Sequence, residues 1–467
     1  MSGDTFFKQL DEQFAKDFYT REPSELAEYG KDWTKVFLPN PCAIAFPRSA
    51  IEVSKLVKLC VKNKVAIVPS GGRTGLAGGA VAPNGEIVLS LKRMNKMQPV
   101  NPTSLTVRVE AGAVTQAVHE HCAPEGLTWP VDFASKGSST IGGNISTNAG
   151  GVKVIRYGLT RNWVLGLQVV TMNGDIIEFN GDLEKNNSGT DLRQLFIGTE
   201  GTLGIITEAT LKLARLPGEL DVFFFGLKSI PDVLKLFTEA RRGPFTLNAF
   251  ETFTDNCLKA VLNHRKMYSP LTSDSPCYVL MEVERATTSA SKNEVENWLA
   301  SLFDRELVCD GVLAQTPREA TDIWTLREGI AESLAAINMN HKHDVSVPIA
   351  KLEPFIAELS QSLKQTYKQF NAFVFGHIGD GNLHFNVVKP NDMSKEDFLK
   401  NMSFIDQDLF KLIQKYSGSV SAEHGIGLLK KKALHYTRTS VEMVYLKSIK
   451  KVFDPENLLN PGKIFDL

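Results

Sequence analysis

Residues 69–80 read PSGGRTGLAGGA and follow a short apolar segment, VAIV at 65–68. Consecutive small residues allow several backbone N–H groups to converge on one anion, as in an anion nest. The loop lacks the Gly-Lys-Ser/Thr of a Walker A loop, and the residues after it, VAPNGEIVLS at 81–90, return to a strand pattern and open no helix. The segment therefore indicates a phosphate-binding loop outside the two commonest nucleotide-binding folds.

Two further loops of the same kind lie downstream. Residues 138–151 read SSTIGGNISTNAGG, and residues 197–206 read IGTEGTLGII ahead of a strand. Three small, polar loops suit an extended ligand such as a dinucleotide better than a single phosphate. Individual glycines in these loops can equally serve as turns or as positions of close packing.

Composition limits the classes of protein to consider. The 467 residues suit two or three domains, and 43% hydrophobic with 22% charged residues is typical of a globular chain. The net charge of -1 provides no basic surface for nucleic acid. No apolar run approaches the ~18 residues of a membrane span, and the N-terminus lacks a signal pattern, so we expect a cytoplasmic protein. Six scattered cysteines without a CxxC pair indicate a reducing compartment and no thiolate zinc site.

The order of predicted strands, helices and loops changes near Leu216-Pro217-Gly218. Before this point, short strands alternate with glycine-rich loops, including one over 132–151, and Asn173-Gly174 predicts a hairpin turn. After it, strand–helix–strand successions predict an antiparallel sheet with helices on one face. The expected division is 1–217 (core about 38–217), 218–425 and a C-terminal helical segment, 426–467.

Histidines concentrate in two glycine-flanked segments, HIGDGNLHFN at 377–386 and EHGIG at 423–427. His377 and His384 flank a glycine loop, and Asn386 falls on the same strand face as His384. Two imidazoles and a carboxylate can hold a divalent ion and leave positions open for a substrate. A free imidazole beside them can accept a proton. The alternative interpretation of the first segment is a plain hairpin.

Two cations are candidates for binding an acidic substrate. Arg327 lies on a predicted helix, where it can clamp a carboxylate with two hydrogen bonds or pair with a neighbouring acid. Lys342 follows in HKHDVSVP (341–348) at the start of a predicted strand. We interpret the flanking His341 and His343 as structural or supporting residues.

Four motifs in order, PSGGRTGLAGGA, TIGGNISTNAGG, LFIGTEGTLGIIT and the C-terminal NPGKIF, resemble the FAD-linked oxidases of the vanillyl-alcohol-oxidase type. The nearer resemblance is to the D-2-hydroxyacid dehydrogenase branch, and it extends from about residue 38 to residue 467. It implies an α+β fold: a two-subdomain FAD-binding domain, an antiparallel-sheet α+β cap domain with the metal site, and a C-terminal segment that returns to the FAD domain.

The resemblance also implies which residues contact FAD. They are Pro69, Ser70, Gly71, Gly72, Arg73, Thr74, Gly75, Leu76, Pro130, Ser138, Thr140, Ile141, Gly142, Gly143, Asn148, Ala149, Gly150, Glu200, Gly204, Ile205, Ile206 and Asn460. Some relatives attach the flavin through a His or Cys near the first loop, where this chain has Arg73 and Thr74. We therefore expect noncovalent FAD.

In the family pattern, His377, His384 and Glu423 bind the metal and His424 is the general base. Zinc is the first expectation, with manganese, cobalt or iron as alternatives. Arg327 and Asn386 would bind the substrate, and Lys342 resembles the residue with which members acting on 2-hydroxyglutarate meet the distal carboxylate. One departure is Ala331, where those members carry a hydroxyl one helical turn after the arginine.

The resulting expectation is an FAD-dependent, metal-assisted dehydrogenase of a D-2-hydroxy acid, with D-2-hydroxyglutarate first and D-lactate or another D-2-hydroxy acid as alternatives. It would pass electrons to a quinone, an electron-transfer flavoprotein or another carrier, and a homodimer is the base-rate expectation. Two rivals from other classes are a flavin-free metallohydrolase, which leaves the three glycine loops unexplained, and a nucleotide-binding module without catalysis.

Overall fold

The computed structural model describes residues 3–285 and 289–467. Its helices are α1 (Gly3–Gln13), α2 (Pro23–Tyr29), α3 (Ala50–Asn63), α4 (Thr115–Cys122), α5 (Ile141–Thr147), α6 (Val154–Tyr157), α7 (Ile230–Ala240), α8 (Asp255–Arg265), α9 (Ser289–Asp304), α10 (Pro317–Glu328), α11 (Ile330–Ile337), α12 (Leu352–Thr366), α13 (Lys395–Lys415) and α14 (Ser440–Phe453). Its strands are β1 (Tyr19–Thr20), β2 (Ala43–Ala45), β3 (Ile67–Ser70), β4 (Ile87–Ser90), β5 (Thr106–Glu110), β6 (Leu127–Thr128), β7 (Val164–Val170), β8 (Ile176–Phe179), β9 (Ile205–Lys212), β10 (Ala214–Arg215), β11 (Leu220–Leu227), β12 (Phe245–Thr254), β13 (Cys277–Arg285), β14 (Asp310–Leu313), β15 (Asn340–Ser346), β16 (Ala372–Gly376) and β17 (Asn382–Val388).

The chain folds as two compact units. Unit 1 comprises Met1–Gly150, Leu159–Leu216 and Glu423–Leu467, and unit 2 comprises Gly151–Gly158 and Pro217–Ala422. The three-part division expected from the sequence stays a prediction. In the described ranges, no helix combines the length and apolar character needed to cross a membrane.

Unit 1 contains two four-stranded sheets. The first has the order β1-β2-β4-β3 with parallel pairing of β2 and β3 to β4, and the second is antiparallel with the order β5-β9-β7-β8. The β7–β8 hairpin turns at the predicted Asn173-Gly174, where Gly174 has a φ of 78°. One apolar core, which includes the fully buried Trp129 and Phe196, joins both sheets.

The glycine-rich stretch over 132–151 contains a helix that the sequence reading missed. Helix α5 forms over Ile141–Thr147, and Asn148 ends it in the left-handed region with a φ of 50°. Gly142 lies against Ala111, because a Cβ at this position would come within 2.7 Å of the Ala111 Cβ. The glycines that suggested a loop therefore serve close packing of a short helix.

Unit 2 is built on a seven-stranded antiparallel sheet with the order β14-β11-β13-β12-β16-β17-β15. Helices α8, α10 and α11 pack with Phe224 and Phe253 on one face. On the other face Phe250 contacts Phe237 of α7, with ring centroids 5.1 Å apart. The expectation of helices on one face is therefore wrong. Strand β11 is buried at successive positions, as expected for a strand covered on both sides.

Helix α14 is fixed inside unit 1 by a buried lysine. Lys450 is 3% exposed and donates hydrogen bonds to the carbonyl oxygens of Thr202 (2.8 Å) and Leu459 (2.7 Å) and to Asp454 (2.5 Å). Asp454 also accepts from the backbone N–H groups of Leu458 and Leu459. This network ties the helix to the segment that precedes Asn460.

Replacing this lysine tests the network. Lys450→Met leaves the Asp454 carboxylate buried without its cation, so we expect unit 1 to lose about 3–5 kcal/mol of stability. The measurement is urea unfolding followed by tryptophan fluorescence, with Lys451→Met at the adjacent exposed position as the control. Equal unfolding midpoints for the two variants would contradict the proposed importance of this network.

Candidate functional site

The first two predicted cofactor loops contact each other in unit 1. A Cβ on Gly71 would lie 2.3 Å from Thr140 Oγ1, and one on Gly72 would lie 2.1 Å from the Ser138 carbonyl oxygen. Any side chain at either position would therefore force the loops apart. The structure thus explains both glycines by close approach of the backbone.

The third loop and the C-terminal motif join the first loop through Asn460. The Asn460 amide donates to the carbonyl oxygens of Gly79 (2.9 Å) and Glu200 (2.7 Å). Glu200, with a φ of 52°, accepts from the backbone N–H groups of Ile426 (2.7 Å) and Gly427 (2.8 Å). Burial raises the pKa of Glu200, although these N–H groups act in the opposite direction. Glu200 and Asn460 therefore hold the segments that meet at this site.

Several other predicted cofactor residues already have contacts within unit 1. The Arg73 guanidinium lies over the Tyr29 ring at 4.4 Å, and Asn148 Oδ1 accepts from the Arg161 N–H. A Cβ on Gly204 would meet Val169 Cγ1 at 2.5 Å, so packing alone accounts for this glycine. Ile205 and Ile206 begin β9 in the core. Their contact with FAD stays a prediction.

Some buried polar atoms at the loops can still donate a hydrogen bond. Within the described residues, Ser70 Oγ and Thr140 Oγ1 are buried without a hydrogen-bond partner. Such atoms cost free energy unless something satisfies them. Hydroxyl donors beside a glycine cradle match the acceptor oxygens of a pyrophosphate. The residues present therefore fit a dinucleotide such as FAD.

In unit 2, Glu251 links two of the predicted site residues. This carboxylate is 1% exposed, accepts from Arg327 Nε at 2.8 Å and lies 2.6 Å from His377 Nδ1. Burial alone would raise the pKa of Glu251, but the interactions with His377 and Arg327 outweigh it and lower the pKa. The guanidinium also packs over the Phe375 ring at 5.1 Å.

Three more predicted residues share one face of the sheet. Lys342 pairs with Asn386, and Asp344 pairs with His384, across the antiparallel β15–β17 ladder. Because opposite residues and every second residue point to the same face, all four side chains lie on that face. The rings of His377 and His384 are 5.5 Å apart, and His384 Nδ1 lies 3.9 Å from Asp344 Oδ1. Desolvation lowers the pKa of Lys342.

The remaining predicted site residues, Glu423 and His424, are assigned to unit 1. Glu423 and His424 open the last segment of unit 1, directly after Ala422, whose N–H donates to the Asp344 carbonyl oxygen at 3.3 Å in unit 2. Their joint action with His377 and His384 stays a prediction. Ala331 is exposed and Arg327 is buried, and Gly329 separates α10 from α11.

The sequence reading missed Glu251 and Asp344. Glu251 is the only charged residue of the strand FTLNAFETFT (245–254), and a carboxylate buried in such a strand requires a partner. Asp344 lies two residues after Lys342 and therefore shares its strand face. Both signals were present, but only tertiary pairing identifies the partners.

Comparison with known families agrees with these features. The family described as FAD linked oxidases, C-terminal domain, matches residues 216–464, and the family described as FAD binding domain matches residues 41–180. The chain belongs to the FAD linked oxidases. The FAD expected from the family resemblance is therefore confirmed.

Similar curated proteins cover nearly the whole chain. One from Stutzerimonas stutzeri (strain A1501), named D-2-hydroxyglutarate dehydrogenase, is 44% identical over 95% of this chain and 95% of its own. One of the same name from Xanthomonas citri pv. viticola is 47% identical over 95% of this chain and 93% of its own. A mitochondrial protein of that name from Arabidopsis thaliana is 33% identical over 98% of this chain and 81% of its own.

Solved structures establish the fold. p-Cresol methylhydroxylase aligns with a TM-score of 0.76 at 17% identity, covering 99% of this chain and 97% of its own. Alkyldihydroxyacetonephosphate synthase aligns with a TM-score of 0.72 at 19% identity, covering 99% of this chain and 85% of its own. The predicted α+β fold class of the vanillyl-alcohol-oxidase type is confirmed.

Thr140 provides a test of the cradle. Thr140→Val removes a buried hydroxyl that FAD can satisfy, so we expect FAD affinity to fall by about 1–3 kcal/mol. Thr207→Val is the matched control, because the buried Thr207 hydroxyl already donates to Gln168. Fluorescence titration of each apoprotein with FAD measures the effect. Unchanged affinity in Thr140→Val would remove Thr140 from the FAD site.

Proposed function

We propose that this chain oxidises D-2-hydroxyglutarate to its 2-oxo acid, with FAD as the hydride acceptor. The chain is an oxidoreductase of the FAD linked oxidases, and the two bacterial relatives that carry the name D-2-hydroxyglutarate dehydrogenase match 95% of it. The metallohydrolase alternative was a flavin-free enzyme, so it does not match a chain of the FAD linked oxidases.

The observation that carries the substrate assignment is the placement of two cations in unit 2. Lys342 lies opposite Asn386 on the face that also bears His384, and Arg327 packs over Phe375, the cross-strand neighbour of His384 on β16. A substrate with two carboxylates needs a cation for each when both leave water. D-lactate has one carboxylate and would leave Lys342 without a role.

Glu251 orients the arginine for this task. Within the described residues, the Arg327 guanidinium donates to Glu251 through Nε alone, so both terminal nitrogens stay available. A guanidinium fixed in this way can bind the carboxylate beside the hydroxyl with two parallel hydrogen bonds. The buried Asn386 amide would orient the same end of the substrate.

His377 has the protonation pattern of a metal ligand. Its Nδ1 faces Glu251 Oε1 at 2.6 Å, which favours a proton on Nδ1 and leaves Nε2 as a lone-pair donor. We propose that His377, His384 and Glu423 hold a divalent metal, zinc first, with manganese, cobalt or iron as alternatives. When bound, the metal supplies Lewis acidity to the substrate hydroxyl and carboxylate.

His424 is the proposed general base, which takes the hydroxyl proton as the α-hydrogen leaves with its electron pair. FAD is proposed to be noncovalent because Arg73 and Thr74 cannot form the usual flavin linkage. The electrons would then pass to a quinone, an electron-transfer flavoprotein or another carrier. Homodimer formation and cytoplasmic localisation stay predictions.

Lys342 distinguishes the dicarboxylate from its monocarboxylate alternative. Lys342→Met should lower kcat/KM for D-2-hydroxyglutarate by about 10- to 100-fold, because the distal carboxylate loses its cation. Activity on D-lactate should change much less, and Lys342→Arg should retain most activity on the dicarboxylate. Steady-state rates with an artificial acceptor measure both. Equal losses on the two substrates would show that Lys342 supports the fold or the common anchor.

His424→Ala tests the base. Flavin reduction by D-2-hydroxyglutarate, followed by anaerobic stopped flow, should slow by about 10²–10⁴-fold, the usual contribution of a general base. His435→Ala, an exposed histidine in the same unit, should keep the wild-type rate. Metal content should also be retained in His424→Ala. Loss of metal together with activity would mean that His424 is a ligand.

A further inference from the structure

A second cluster of ligating side chains lies in unit 2, apart from the residues given roles above. His341 and His343 of β15 both direct Nε2 at Asp406 Oδ1 on α13, at 2.7 and 2.6 Å. The three ligand atoms all lie within 4.8 Å of one another. Two imidazoles and a carboxylate therefore converge on one point between a strand and a helix.

Strand parity separates this cluster from the proposed substrate residues. His341 and His343 pair with Val387 and Phe385 on one face of the sheet, whereas Lys342 and Asn386 point to the opposite face. The cluster therefore has its own surroundings, which include the rings of Phe385 and Phe410 at 5.6 and 6.0 Å from His343.

The His343 ring faces more hydrogen-bond acceptors than a neutral imidazole has N–H groups to donate. Its Nδ1 lies 3.2 Å from the Phe385 carbonyl oxygen and its Nε2 lies 2.6 Å from Asp406 Oδ1, so both ring nitrogens face acceptors. A neutral imidazole has one N–H and can satisfy only one of them. The ring is 5% exposed, so little water reaches either nitrogen.

Asp406 Oδ1 meets both imidazoles, because the Nε2 atoms of His341 and His343 lie 2.7 and 2.6 Å from it. A cation among these three atoms would let both nitrogens act as lone-pair donors to one ion, and an Nδ1–H donated to a backbone carbonyl is the usual support of a metal-bound histidine.

We propose that His341, His343 and Asp406 bind a second divalent metal of the zinc class. Imidazole and carboxylate ligands suit zinc, and three protein ligands leave a fourth position for water. The side chains of His341 and Asp406 are 27% and 29% exposed, so the open position can reach solvent. Tetrahedral zinc places its ligand atoms roughly 3.3 Å apart, so the two His–Asp distances need to widen by roughly 0.6–0.7 Å.

This ion would fasten α13 to β15 on the face behind Lys342. It would stabilise the strand that carries Lys342 and Asp344 without touching the substrate. The inference does not depend on the proposed function, because its ligands share no residue with His377, His384 and Glu423.

The test measures zinc in the purified full-length FAD-bound protein after zinc loading and removal of weakly held ion. We expect His343→Gln and Asp406→Asn each to bind one zinc equivalent less than wild type, with zinc affinity at this site lowered on the order of 100-fold or more. His377→Asn should keep this equivalent, which distinguishes the two sites. His264→Gln, on α8 in the same unit, is the matched control and should keep the wild-type zinc content.

Cobalt provides a second measurement that does not rely on counting. Cobalt added to wild type in place of zinc should give tetrahedral absorption bands at wavelengths longer than those of the oxidised flavin. These bands should persist in His377→Asn and weaken in His343→Gln. Equal zinc content and equal cobalt bands in wild type, His343→Gln and Asp406→Asn would overturn the proposal and leave the cluster as a hydrogen-bonded strand–helix junction.

Discussion

The arrangement of unit 2 depends on one buried carboxylate. Glu251 lies in the centre of the sheet with 1% exposure, where an unpaired charge would be strongly destabilising. Arg327 and His377 compensate it, and in return Glu251 fixes the orientation of both. The same interaction therefore compensates the buried carboxylate and orients both the Arg327 guanidinium and the His377 ring.

Unit 1 depends on a different constraint, the close approach of backbone segments. Gly71 and Gly72 allow the first loop to touch the second, and Asn460 brings the C-terminal motif to the first and third loops. The buried Lys450 network holds the segment before Asn460 in place. A cradle assembled in this way keeps polar atoms such as Thr140 Oγ1 available for a cofactor.

Strand β15 contributes side chains to two separate polar clusters, one on each face of the sheet. Its odd and even positions face opposite sides of the sheet, so Lys342 and Asp344 join His384 and Asn386, whereas His341 and His343 join Asp406. Four consecutive polar residues thus divide between the two faces of the sheet. From the sequence, the two histidines are interpreted as structural or supporting residues, and the structure places them on the face opposite Lys342.

The sequence by itself determined the glycine loops, the family motifs and the candidate histidines, because these depend on residue type and local spacing. It also placed Arg327 on a helix and Lys342 on a strand. Helix α5 was missed because Gly142 is selected by contact with Ala111, which is distant in sequence. Only the tertiary structure decided that Glu251 joins Arg327 to His377 and that Asp406 meets His341 and His343. These pairings bring together residues separated by more than 60 positions, and no local pattern encodes such contacts.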